Sequence, residues 1–142
     1  MKCLGMDLGT KTLGLAISDS LGLIASPYKV LRYTDINVLV NEVIEIIEKE
    51  KIEVLVLGLP KNMNNTLGFA AERSLNFKKL LEDKIHKEII LIDERLSTVE
   101  AENILIASDV RRKNRKKVID EMAASIILDT YLRRDVQNGK EK

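Results

Sequence analysis

Three places in the chain put carboxylates where the surrounding residues are built for burial. Asp7 closes an apolar run in "MDLGTKTLGLAISD", Asp93 and Glu94 follow "EIILI", and Asp120 stands near the start of a segment, 119–131, whose apolar residues recur at helical spacing. Carboxylates gathered at one place repel one another strongly unless a positive charge sits between them. With one histidine, His86, and one cysteine, Cys3, in 142 residues, the chain lacks the donors of a zinc site. The compensating ion is therefore expected to be hard and oxygen-loving, Mg²⁺ or Mn²⁺. Two such ions, roughly 3.5 to 4 Å apart, activate a water and stabilise the leaving oxygen in phosphodiester hydrolysis. Each acid also has a plain structural alternative: Asp7 as the first residue of a turn, Asp93 or Glu94 as a partner of Arg95, Asp120 as a complement to a helix dipole.

A second feature adjoins the third acid. Residues 111–117, RRKNRKK, hold six of the 23 basic residues and no acid, leaving 17 basic against 22 acidic residues elsewhere, a balance of −5. A run of that density reads as a solvated segment, whose usual partner is a polyanion. Arg111, Arg112, Lys113, Arg115, Lys116 and Lys117 are thus the candidates for holding a phosphate backbone. His86 lies in the charged stretch DKIHKE and is expected at the surface, so activation of water would fall to the metal.

These groups need a frame. Residues 2–8 and 11–19 are expected to form two strands joined by a tight Gly9-Thr10 turn, with Leu13, Leu15 and Ile17 alternating against Thr12, Gly14, Ala16 and Ser18. A third strand is expected over Tyr28–Tyr33, after Pro27, continuing an antiparallel meander. From Asp35 the period changes, and Ile36, Leu39, Val40, Val43 and Ile47 describe an amphipathic helix ending near Lys51. The aliphatic IEVLVLG, 52–58, fits a strand buried on both faces beside a parallel neighbour. A polar loop, KNMNNT, leads to a helix over about Leu67–Lys84, and EIILID forms the last strand. Ser97 and Glu100 fit a capping box for a helix to about Ser108. In the final helix Ile119, Met122, Ala123, Ile126 and Thr130 mark one side, while Asp120, Ala124, Ile127 and Tyr131 border that stripe. The fold class is α/β: a five-stranded mixed sheet, three antiparallel strands then two parallel, with helices on both faces and one domain over 1–142. Ligands of such sheets bind beyond the carboxyl ends of the parallel strands, where Asp7 and the Asp93-Glu94 pair would lie.

Composition excludes several classes. The chain is 45% apolar and 32% charged, as in ordinary globular proteins, and no stretch of 18 apolar residues offers a membrane span. One cysteine cannot form an internal disulfide, and with no signal sequence a reducing, cytoplasmic location is expected. Three tyrosines, two phenylalanines and no tryptophan make a poor stacking platform for a dedicated single-strand binder.

Taken together, "GMDLGTKTLGLAISD", "VLGLPKNMNN", "IDERLSTVEAE" and "RRKNRKKVIDEMAASIILDTYL" resemble, in order and at compatible spacing, the YqgF family. These are ribonuclease-H-like proteins described as Holliday-junction resolvases and as nucleases that mature the 5′ end of precursor 16S ribosomal RNA. The resemblance implies the ribonuclease-H-like fold and a catalytic acidic cluster of Asp7, Glu94 with Asp93 beside it, and Asp120. Glu94 ranks above Asp93 as a metal ligand, its longer side chain lying just beyond the strand. Thr10 and Lys11 in the turn, and Asn62 and Asn64 after GLP, would line the same edge and touch phosphate or sugar. Asn64-Asn65 stands where the family commonly has Asp-Gly, which departs from the pattern in that loop.

Two other readings compete. Asp-Leu-Gly-Thr before a second strand also resembles the phosphate-binding hairpin of actin-like and sugar-kinase ATPases, but those need two lobes and this length supplies one. A nucleic-acid-binding protein that keeps the acids as remnants would bind with salt sensitivity and not cleave. Between precursor or structured rRNA and branched DNA, and between monomer and homodimer, the motifs do not choose.

Overall fold

β1 (Cys3–Leu8) and β2 (Thr12–Ser18) pair antiparallel around the Gly9–Lys11 turn, with Met6 opposite Leu15 and Asp7 opposite Gly14. The structure is a computed structural model that describes residues 1–60, 68–93 and 122–133. β3 (Ala25–Arg32) adds to β2 antiparallel, while β4 (Val54–Leu59) and β5 (Ile89–Asp93) follow in parallel on the other side of β1. The order is β3-β2-β1-β4-β5, the mixed five-stranded sheet that the alternation of periods predicts. β3 begins at Ala25 rather than Tyr28, with Pro27 inside the strand. The edge position makes this possible, because a proline there forfeits no ladder bond, and the register with β2 shifts between Leu15 and Ala16 to absorb the irregularity.

Helices cover both faces. α1 (Ile36–Glu50) starts at Asp35, whose carboxylate accepts from the Asn37 N–H at 2.9 Å, and stops at Lys51, which adopts left-handed backbone (φ 57°). α2 (Phe69–Ile85) ends the same way at His86 (φ 57°). Leu39, Val40 and Val43 of α1, with Phe77 and Leu81 of α2, pack against Leu4, Met6, Leu13, Leu15, Leu55 and Leu57 on one face of the sheet. The chain is also helical over 122–133, and this segment buries Ala124, Ile127, Leu128 and Leu132 against Cys3, Ala16, Val56 and Ile92 on the opposite face. The buried side of that helix is therefore Ala123, Ala124, Ile127, Leu128 and Leu132, while Met122, Ile126 and Thr130 are only half-buried. This corrects the stripe expected from apolar spacing.

Its physical cause lies in β1. A Cβ on Gly5 would come within 2.7 Å of the Leu128 Cβ and 2.8 Å of the Ala124 carbonyl oxygen. The helix thus rests backbone-close on the strand, and the gap left at Gly5 sets its contact line along Ala124 and Leu128. Cys3 is fully buried and in no disulfide, as a lone strand cysteine is expected to be.

Candidate active site

The alternation of β1 decides where Asp7 points. Leu4, Met6 and Leu8 enter the core beneath α1 and α2, so Cys3, Gly5 and Asp7 share the face covered by the 122–133 helix. Asp7 is half-buried near the carboxyl end of β1, and it has no hydrogen-bond or ion-pair partner among the described residues. Gly14 lies opposite it on β2. On β4, Gly58 follows Leu57, the partner of Met6. Neither neighbouring strand places a side chain beside the carboxylate, which leaves it flanked by backbone. A partly desolvated carboxylate with open flanks is the donor that suits a hard cation.

The turn next to Asp7 is braced from two sides. The Gly9 N–H donates to the Thr12 carbonyl at 2.7 Å, and the Tyr33 N–H donates to the Lys11 carbonyl at 2.9 Å. The Tyr33 hydroxyl donates to the Gly9 carbonyl at 2.5 Å. Thr10 and Lys11 are exposed at this edge, where they are expected to meet phosphate or sugar. Tyr33 is not a candidate on sequence grounds; its only signal is its place at the end of the predicted third strand, across from Lys11.

β5 fixes the face of Asp93. Ile89 and Leu91 face the core of α1 and α2, and Ile92 faces the 122–133 helix. By that alternation half-buried Asp93 falls on the face opposite Asp7. The start of the strand is pinned by α2: the Glu82 carboxylate accepts from the Ile89 N–H at 2.8 Å and pairs with Lys78 at 3.0 Å. Burial pushes the Glu82 carboxyl up, but the Ile89 N–H and the Lys78 ammonium outweigh it and hold its pKa below the ordinary value.

Of the residues that the sequence singles out, Asp7, Thr10, Lys11 and Asp93 are described, and the first three come together at one edge. Glu94, Asp120, Asn62, Asn64, the basic run 111–117 and the helix expected over 97–108 lie outside the described residues. Among the described residues no three His, Cys, Asp or Glu side chains converge. No helix among them is long and apolar enough to cross a membrane.

A mixed sheet of this order, with an acid at the end of its first strand and helices on both faces, defines the ribonuclease-H-like class of folds. Solved structures agree in fold. Thermus thermophilus RuvC in complex with a Holliday junction substrate superposes with a TM-score of 0.61 at 15% identity, covering 94% of this chain and 96% of that one. The fowlpox virus Holliday junction resolvase gives 0.53 at 16% identity, covering 94% and 99%. Within that class, a model of the RuvX family, described as "Holliday junction resolvase", matches residues 1–134, and the chain belongs to this family. A relative from Geobacillus sp. (strain WCH70), named "Putative pre-16S rRNA nuclease", is 48% identical over 134 residues, 93% of this chain and 97% of its own. One of the same name from Staphylococcus aureus (strain JH9) is 48% identical and covers 92% and 94%. The chain is a nuclease, an enzyme that hydrolyses phosphodiester bonds, and its family implies dependence on a divalent metal in general.

Proposed function

We propose that this nuclease acts in the 5′-end maturation of precursor 16S ribosomal RNA, with Asp7, Glu94 and Asp120 holding Mg²⁺ or Mn²⁺ at the carboxyl edge of the sheet. The observation that carries the reading is Asp7 itself, half-buried and without a partner among the described residues, between Gly14 and Gly58 and beside an exposed, braced turn. The relatives named for pre-16S rRNA favour the ribosomal substrate. The family description favours a second reading, resolution of four-way DNA junctions.

The other ligands are argued from alternation. Asp93 ends β5 on the face opposite Asp7, which favours its sequence neighbour Glu94 as the ligand. Asp120 stands four residues before Ala124 and seven before Ile127, both fully buried against the sheet. That spacing of four and seven is the sequence signal that favours Asp120 as the third ligand. When bound, the divalent ions supply a water acidified for attack and charge to stabilise the leaving oxygen. The protein's own part is to hold the carboxylates rigidly and to fix the strand being cut. Thr10 and Lys11 at the turn, Asn62 and Asn64 in the loop after β4, and Arg111, Arg112, Lys113, Arg115, Lys116 and Lys117 contact its phosphates and sugars. The work is that of a single domain over 1–142 in the cytoplasm.

Cleavage of end-labelled precursor rRNA and of a four-way DNA junction, by wild type and Asp7→Asn, tests this with Mg²⁺, Mn²⁺ or EDTA. Metal-dependent cutting by the wild type and its loss in Asp7→Asn, with binding intact or slightly tighter, are expected. Binding of both substrates with no cutting of either would leave a nucleic-acid-binding protein without catalysis.

A further inference from the structure

Arg73 occupies the second turn of α2, the helix that enters the fold from the carboxyl end of β4. It is half-buried, and its Nε is fully enclosed without a hydrogen-bond acceptor. Among the described residues the guanidinium has no carboxylate partner. This is unusual on physical grounds, since an enclosed guanidinium nitrogen is normally hydrogen-bonded, and the rigid fork of donors matches carboxylate or phosphate oxygens. The surroundings say which anion would fit. Arg73 lies close enough to Tyr33 for its charge to oppose the rise that burial imposes on the tyrosine's pKa. The Tyr33 hydroxyl in turn holds the Gly9 carbonyl, so Arg73, Tyr33 and the Gly9–Lys11 turn form one group at the edge that carries Asp7. Asp7 faces the 122–133 helix and Arg73 comes from the α2 side, so the turn lies between a carboxylate on one face and a cation on the other.

We propose that Arg73 binds a phosphate of the nucleic-acid strand lying across the Gly9–Lys11 turn, one that neighbours the bond being cut. The phosphate engages the outer end of the half-exposed guanidinium, which no carboxylate among the described residues pairs, and it fixes the register of the strand against Asp7. The inference rests on the nuclease reading and adds a backbone contact outside the basic run 111–117.

The test measures binding of a four-way DNA junction and of precursor rRNA in EDTA, at about 50 to 200 mM salt, with the full chain as wild type, Arg73→Gln and Arg73→Lys. Arg73→Gln is expected to weaken binding about tenfold or more, as loss of a charge-assisted hydrogen bond does. The slope of log K against log salt should become shallower by about 0.7 to 0.9. Arg73→Lys should recover the slope but only part of the affinity, because an ammonium lacks the fork. The melting temperature of Arg73→Gln should be unchanged or higher, since a half-buried charge is removed. Unchanged affinity and slope in Arg73→Gln overturn the assignment while leaving the nuclease reading intact. So does weaker binding that tracks a lower melting temperature with the slope preserved, which would make Arg73 structural. A wild type that binds neither nucleic acid overturns both.

Discussion

Asp93 and Glu94 are neighbours in sequence, and β5 carries Asp93 to the face opposite Asp7, which makes Glu94 the proposed ligand. Glu94→Gln is expected to lower the rate of metal-dependent cleavage by at least about a hundredfold, as loss of a group acting on charge in the transition state does. Asp93→Asn should cost much less, because its side chain leaves the sheet on the α1 and α2 side. Single-turnover cleavage by the two variants separates them, and equal losses would contradict the face assignment. Asp7 is legible in the sequence because a carboxylate in a run built for burial stands out against its neighbours. Arg73 is not. In the stretch FAAERSLNFKK one arginine among several polar residues looks like part of a solvated helix face, and only the enclosed Nε sets it apart. The choice between Asp93 and Glu94 is not legible in the sequence: both are candidates, and only the phase of β5 gives Asp93 its face.

At the scale of elements, the strands and the first two helices follow from changes of period, because each buries a continuous stripe against one sheet face. The last helix follows a weaker rule. Its contact line is set by the absence of a side chain at Gly5, which apolar spacing along the helix itself does not reveal. Gly5→Ala should therefore push the 122–133 helix off β1 and destabilise the protein by about 1–3 kcal/mol, the usual cost of overpacking. Urea unfolding measures this, and an unchanged midpoint would show that the helix does not rest on the strand. A second tie, Glu82 to the Ile89 N–H, holds β5 against α2. Because the Glu82 pKa is lowered by folding, its contribution is present above the unfolded carboxylate pKa and is lost as pH falls through the folded value. Glu82→Gln is expected to cost about 1 kcal/mol at neutral pH. Thermal melts of the two proteins should converge on acidification, and a constant difference down to low pH would assign the loss to packing.

Over the whole molecule, charge divides into two parts that the net value of +1 conceals: six basic residues within 111–117 and a balance of −5 everywhere else. An acidic body repels a phosphate backbone, so a strand that reaches Asp7 must be drawn there by the basic run together with whatever cations stand at the edge itself. The two sources of attraction should separate by salt. Neutralising Arg111, Arg112, Lys113, Arg115, Lys116 and Lys117 to glutamine removes sequence-independent attraction. It should flatten the dependence of log K on log salt by about 0.7 to 0.9 for each phosphate that the protein no longer neutralises. Screening at high salt already suppresses the same attraction, so wild type and variant should approach one another as salt rises. Cleavage by the variant at saturating substrate should remain close to wild type, because the run draws the strand in and the edge at Asp7 does the chemistry. Binding titrations across salt, paired with single-turnover rates, test both expectations. A preserved slope removes the run from the interface, and a fall in the saturated rate with an altered slope gives it a part in positioning the scissile bond.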